Sequence, residues 1–352
     1  MVIVPHGSRG KDRILEDRML EKGRTSMSVV SAPPGHSSVY LARAAVTAPS
    51  VHNSQPWFFV ADGDRGIEVH ADTGRRLPLT DPQGREMLIS CGAALFNVRL
   101  AMRHLGFKPV VHTFPDPRDP ACLALVEWGA YVPPTLDDQR LYGALRLRHT
   151  VRGPFLTDPL PEGLADALRE QAHAEGADLH IIGDAAGRRR LAELVRAGEY
   201  AHRKQPSHVA EQAAWTWRLA RPRTDGVPTD VSVLHPDCLP FAGRDYAGLV
   251  PVLPTPPRRR HTRTGLVAIL GTDRDDRPAW LRAGQALERI LLYAAVDDVM
   301  AAFHTQPLEL PHLRTSIRQT LSAGEFPQMI LRLGYAPRVR PLPRRPLAEV
   351  LS

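Results

Sequence analysis

At 352 residues, with 43% hydrophobic and 24% charged side chains, the chain can bury a large core, which excludes wholesale disorder. A formal net charge of +7 admits an anionic partner, but 6% aromatic content and arginines spread along the chain argue against the stacking surface of a nucleic-acid binder. Cys91, Cys122 and Cys238 form neither a CxxC pair nor a zinc spacing, HExxH is missing, and no apolar run approaches the ~20 residues of a membrane span. The expectation is a reduced, cytoplasmic protein with no metal.

Residues 1–38 are polar and broken by Gly and Pro, which reads as a flexible arm rather than a secretory signal, with Met27 as an alternative start. An apolar, helix-like run then closes near Ala48 and stops at Pro49 and Ser50. His52, Asn53, Ser54 and Gln55 follow, ahead of a strand at 57–60. Such a handover makes a polar shelf at an element edge, suited to a planar ligand rich in donors and acceptors, or else a turn that satisfies its own backbone.

A second strand at 67–70 pairs with the first across the turn Asp62–Gly66, and a loop leads into a long helix over 83–105, stopped by Gly106. Gly92, Ala93 and Ala94 would let another backbone approach it closely. Strands are expected at 108–114 and 121–128, helices at 137–146, 162–175, 186–203 and 207–219, and a strand at 177–182. Residues 221–261, with prolines at 251, 254, 256 and 257, read as an extended excursion. A strand at 265–270, helices at 278–296 and 309–322, a strand at 327–333 and a basic tail complete the chain.

The chain also echoes itself at an offset of 192. Thr80 and Asp81 fall on Thr272 and Asp273, Gly92 on Gly284, Ala94 on Ala286, and Leu95 on Leu287. Matches in Ala/Leu-rich helices are cheap, but the shared glycine and shared turn favour duplication over coincidence. Two copies of one α+β unit, at about 39–136 and 137–352, would pack about a pseudo-two-fold axis through their long helices.

The segment Ala48-Pro49-Ser50-Val51-His52-Asn53-Ser54-Gln55-Pro56-Trp57 resembles the APSxxNxQPW segment of nitroreductase-like flavoproteins, and with the later segments the chain resembles their Acg branch. The resemblance implies an α+β, nitroreductase-like fold in which two tandem copies form an internal pseudo-dimer holding FMN. It matches Arg148, His149, Thr150 and Arg152 to the family's RxSxR-type segment, and Ser50, Asn53 and Gln55 to the polar shelf. It sets Arg344 and Arg345 where C-terminal basic residues reach the FMN phosphate, Gln306 and Glu309 near the redox edge of the flavin, and Gly334 and Tyr335 in a supporting turn. The arginines suit a phosphate or a flavin pyrimidine edge on physical grounds as well, while Glu309 could instead cap the next helix and His52 could be an ordinary turn histidine.

Each half keeps one complementary piece, so one complete flavin site per chain is expected. A monomer is the favoured assembly, with a homodimer as the alternative. The resemblance implies hydride transfer through FMN from a nicotinamide donor to a nitroaromatic or quinone-like acceptor, with no catalytic side chain required. No GxGxxG follows a strand, so no separate nicotinamide domain is suggested. An excursion at 221–261 folded over the flavin would instead make the chain an FMN-sequestering or storage protein.

Overall fold

The computed structural model describes residues 36–63, 65–218, 223–229, 236–246, 248–250, 264–336 and 341–352. Most of the expected N-terminal arm, the Met27 start and parts of the 221–261 excursion lie outside these residues. Helix α1 (His36–Ala45) leads to strands β1 (Trp57–Asp62) and β2 (Gly66–Ala71), helix α2 (Arg85–His104), and strands β3 (Phe107–Thr113) and β4 (Cys122–Tyr131). Helices α3 (Leu136–Ala144) and α4 (Leu164–His173), strand β5 (Asp178–Ile181), and helices α5 (Ala185–Arg203) and α6 (Pro206–Ala214) follow. After the short strands β6 (Thr216–Trp217) and β7 (Val227–Pro228) come β8 (Leu266–Thr272), α7 (Arg277–Val296), β9 (Met300–Phe303), α8 (Pro311–Thr320) and β10 (Phe326–Gly334).

The α+β expectation holds, and the internal echo has a structural counterpart. Among the described residues one four-stranded antiparallel sheet has the order β1-β2-β4-β3 and a second has β5-β8-β10-β9, the same topology with the second-half strands substituted one for one. Helices α2 and α7 are both 20 residues long and start 192 positions apart. They cross where the echo places its shared glycines. A Cβ on Gly92 would lie 2.2 Å from the Leu281 carbonyl oxygen, and one on Gly284 would lie 2.0 Å from that of Ile89. Ile89 and Leu281 are themselves related by the offset, so the contact is reciprocal, as an isologous interface requires.

Both helices are buried along most of their length because each is covered by its own sheet, its partner helix and the shorter helices. Asp81 starts α2 by accepting from the Met87 amide at 2.8 Å, and Asp276 caps α7 by accepting from the Ala279 amide at 2.9 Å. One apolar cluster runs from Leu41 through α2, α7 and the inner faces of both sheets. A second joins α5 to the other face of the second sheet through Leu191, Val195, Val267 and Ile269. Strand β8 is thus covered on both sides, which explains its unbroken apolar run.

Three details depart from the sequence expectation. Strand β9 was not expected, because four residues directly after a helix carry almost no periodic signal. The helix expected over 207–219 ends at Ala214, where the chain turns into β6. The helix expected over 309–322 is split into a 3₁₀ turn, Gln306–Glu309, and α8; α8 starts at Pro311 without a side-chain cap, so Glu309 is not its cap. The last residues return to the first sheet, where Leu351 bridges Phe59 in parallel.

Gly284→Ala places a methyl against the Ile89 carbonyl and must push the helices apart. It is expected to cost at least ~2 kcal/mol. Urea unfolding measures this, and a loss below ~0.5 kcal/mol would contradict the close crossing.

Candidate functional site

The chain from Ser50 to Gln55 runs through strained backbone. His52, Asn53 and Gln55 all have positive φ, at 49°, 54° and 50°, a region that non-glycine residues enter at a cost of about 1–3 kcal/mol each. Side-chain hydrogen bonds hold it there. Ser50 Oγ accepts from the Gln55 amide at 2.9 Å, Asn53 Nδ2 donates to the Gly226 carbonyl at 3.0 Å, and Gln55 Nε2 donates to that of Thr224 at 2.9 Å. From the tail, Arg344 donates to Asn53 Oδ1 at 3.1 Å and the Arg345 amide to Gln55 Oε1 at 2.8 Å. The Asn53 and Gln55 side chains therefore tie the shelf to residues 224–226 and to the C-terminal tail.

Opposite the shelf, residues 150–152 join the edge of the second sheet. Thr150 bridges Ala301, and the Val151 amide donates to the Ala301 carbonyl at 2.8 Å. Between the two segments lies a cavity whose wall includes Pro49, Ser50, His52, Thr150, Val151 and Arg152. Helix α2 adds Glu86, Ile89 and Ser90, strand β10 adds Met329 and Arg332, and His304 and Thr305 follow β9. Residues from both halves are required to close it.

The excursion supplies another wall. Pro236, Leu239, Phe241, Gly243, Arg244 and Tyr246 line the same cavity. This segment is pinned to α5, where Arg203 Nη1 binds both Asp237 carboxylate oxygens at 2.9 and 3.1 Å and Arg196 reaches the Pro240 carbonyl. The Tyr246 hydroxyl is 2.8 Å from His52 Nδ1, and the Arg152 guanidinium lies 5.6 Å from the Tyr246 ring centre.

The site is rich in buried cations. Arg332 sits 5.1 and 5.7 Å from the rings of Phe155 and Phe241, donates to His304 Nε2 at 2.8 Å, and has no carboxylate partner among the described residues. Burial pulls its pKa down to about 10. Arg148 and Arg344 converge on the Thr47 carbonyl at 2.9 and 3.0 Å. Burial first, then Arg148, brings Arg344 down to about 9. Arg148 is 3.5 Å from the buried Glu288, yet its Nε and Nη1 and the Glu288 Oε2 make no hydrogen bond. Burial first, then the Arg148 and Arg344 guanidinium groups, lowers the pKa of the His149 imidazole below its ordinary value.

Behind the wall lies a second polar layer. Glu309 pairs with Arg244 and accepts from Thr305 Oγ1 at 3.0 Å, and His202 lies 3.5 Å from its other oxygen. Gln306 donates to Glu199 and to the Ala242 carbonyl, both at 3.3 Å. Arg345 lies 3.6 Å from Asp72 and 3.4 Å from Glu349.

Of the residues singled out from sequence, Ser50, Thr150 and Arg152 line the cavity, and Arg148, His149 and Arg344 gather beside it. Asn53, Gln55 and Arg345 brace the shelf, and Gln306 and Glu309 form the layer behind. Gly334 and Tyr335 support from below: a Cβ on Gly334 would strike Phe155, and the Tyr335 carbonyl accepts from the Leu156 amide. Sequence reasoning missed Glu86, Arg244, Tyr246 and Arg332. The first and last sit in helix and strand patterns that read as core, and the other two lie in a segment without periodicity.

No family model matches the chain. The chain is 33% identical over 314 residues to "Putative NAD(P)H nitroreductase Rv3131" of Mycobacterium tuberculosis, covering 88% of this chain and 89% of that one. The chain belongs to the nitroreductase-like proteins, in their Acg branch. The branch is marked by 33% identity over 315 residues to "Putative NAD(P)H nitroreductase acg" of the same organism, covering 87% and 92% of the two chains. Among solved structures, the FMN and NADPH-dependent nitroreductase NfnB from Sphigopyxis sp. strain HMH is 18% identical, with a TM-score of 0.38 over 60% of this chain and 97% of that one. Among the described residues of this nitroreductase-like chain, no helix is long and apolar enough to cross a membrane.

Glu86 gives the site a measurable pH signature. Burial, reinforced by Glu309 and opposed by the Arg85 guanidinium 2.9 Å away, raises its carboxyl from the ordinary 4.5 to about 8. The folded state therefore holds a proton that the unfolded chain gives up, and Glu86 costs stability progressively as pH rises between those values. Glu86→Gln should remove this dependence, so the stability of wild type relative to the variant should fall from pH 5 to pH 8. A constant difference across that range would contradict the assignment.

Proposed function

We propose that the cavity binds FMN and that the chain is an oxidoreductase passing hydride from a nicotinamide donor, through FMN, to a nitroaromatic or quinone-like acceptor. The observation that carries this reading is the meeting of Ser50 from one half with Thr150 and Arg152 from the other, beside Arg148 and Arg344. The donor set fits the cofactor. The buried Arg148 guanidinium, whose Nε and Nη1 make no hydrogen bond, favours a phosphate, and a cavity walled by Leu239, Phe241, Leu287 and Met329 favours a flat ring system. The naming of the mycobacterial relatives as NAD(P)H nitroreductases agrees with this.

Bound FMN would supply the two-electron chemistry, which no side chain here provides. The chain's own residues orient, exclude water and hold protons. Arg152 and Thr150 would hold the phosphate or the pyrimidine edge, with Arg148 and Arg344 adding positive potential. Arg332 and Arg244 would favour electron density building up on a reduced ring. Glu86 lines the cavity wall, paired with Arg85 and with its carboxyl raised by burial, and would give a proton to a reduced acceptor. Since one chain supplies both sides of the site, we expect the working unit to be a monomer.

A second reading, FMN sequestration, is favoured by the pinned wall at 236–246, which occupies one side of the cavity and would restrict a bulky donor. Mixing the purified flavoprotein with excess NADPH or NADH separates the two. Bleaching of the flavin band within seconds supports turnover, whereas a band that persists for an hour overturns it in favour of sequestration.

Arg152→Ala should weaken FMN binding about tenfold, ~1.4 kcal/mol, by fluorescence titration. An unchanged affinity would remove Arg152 from the site.

A further inference from the structure

The outer face of the first sheet carries a cluster that plays no part in the cavity. Glu68 and His70 are two apart on β2 and so share a face, and Cys122 is the cross-strand partner of His70 on β4. A register irregularity between Val69 and His70 sets this alignment, while Val69 and Ala124 turn inward to the core. One ligand atom from each of Glu68, His70 and Cys122 lies within 4.8 Å of the other two. The cysteine and histidine are buried, and Glu68 keeps 32% of its side chain exposed, so an ion has a way in.

The imidazole is fixed before any ligand arrives. Phe58, its cross-strand partner on β1, stacks on it at 4.7 Å and 21°. Its Nε2 is 2.7 Å from Glu68 Oε2, and its Nδ1 faces Asp119 Oδ2 at 3.7 Å. Asp119 is held in place by the Ala121 amide, which donates to its Oδ1 at 3.0 Å, and by the turn that brings the Cys122 amide to its carbonyl. A histidine whose second nitrogen faces a carboxylate is the arrangement that orients metal-binding imidazoles.

We propose that Glu68, His70 and Cys122 bind a divalent ion of the zinc class, with Asp119 orienting the imidazole and the fourth position left to water. The mix of thiolate, imidazole and carboxylate is one that tetrahedral Zn²⁺ accepts and that Mg²⁺ and Ca²⁺ do not. Local charge points the same way. Glu68, Asp116 and Asp119 surround the thiol, and the nearby Arg118 is engaged with Asp116 at 3.1 Å. Ion binding would form the S–metal bond and release the thiol proton to solvent. The other group of ligand type, His202, His208 and Glu309, is already answered by Arg244 on Glu309, and an added cation there would meet the guanidinium.

Metal-stripped, untagged full-length chain dialysed against micromolar Zn²⁺ should retain about one equivalent by elemental analysis. With Co²⁺ it should show the long-wavelength visible bands of a tetrahedral site, beyond flavin absorption. Cys122→Ala, His70→Ala and Glu68→Gln should each weaken retention at least ~tenfold. His112→Ala, an exposed histidine on neighbouring β3, should leave it unchanged. The partly exposed Glu68 keeps the test decisive if a core variant fails to fold. Wild-type chain that retains no zinc overturns the proposal, as does retention that is the same in Glu68→Gln as in wild type.

Discussion

Two helices meet at Gly92 and Gly284 with no side chain between their backbones, and the rest of the architecture is arranged around that contact. Had either position carried even a methyl group, the helices would separate, and the apolar cluster continuous through both sheets would divide. Because the contact is reciprocal, the two halves are held about a local two-fold axis, and pieces of each reach the other. The shelf at 49–55 faces the 150–152 segment, and the C-terminal tail returns to brace the shelf and extend the first sheet. Covalent linkage makes this exchange independent of concentration, which a dimer cannot achieve.

The seam so formed accumulates features that stability alone would not retain. Left-handed backbone at three neighbouring non-glycine residues, a buried Arg332 with no carboxylate partner among the described residues, and orphaned nitrogens on Arg148 each cost free energy. They occur together at one cavity, which is the pattern expected where a charged, planar ligand supplies the missing partners. The wall from 236 to 246 is anchored on α5 by the Arg203–Asp237 ion pair and by the Arg196 hydrogen bond to the Pro240 carbonyl, so its position is not set by apolar contact alone.

Much of this was legible in the sequence. The long helices, the stop at Pro49 and the echo at 192 depend on local periodicity and punctuation, which a sequence displays directly. The glycines that match in the echo are those that touch, because a helix crossing this close leaves no other residue type available. Arg148, Thr150 and Arg152 were found through resemblance; their composition alone reads equally as a solvated turn. Less visible were roles created by tertiary contact. Nothing in the order Asn53–Gln55 says that these amides bond to residues 224–226 and to the tail, and Glu86 reads as an ordinary first-turn acid until Glu309 and burial surround it. Glu68, His70 and Cys122 escaped any spacing rule because two strands and a register irregularity bring them together.

Under the proposed function, one chain builds one complete flavin site from its two halves. Native mass spectrometry of the protein purified without added cofactor tests it most directly. The expected species is a single chain carrying one FMN. A species carrying FMN only as a dimer, or a chain that neither retains nor takes up FMN, would contradict it.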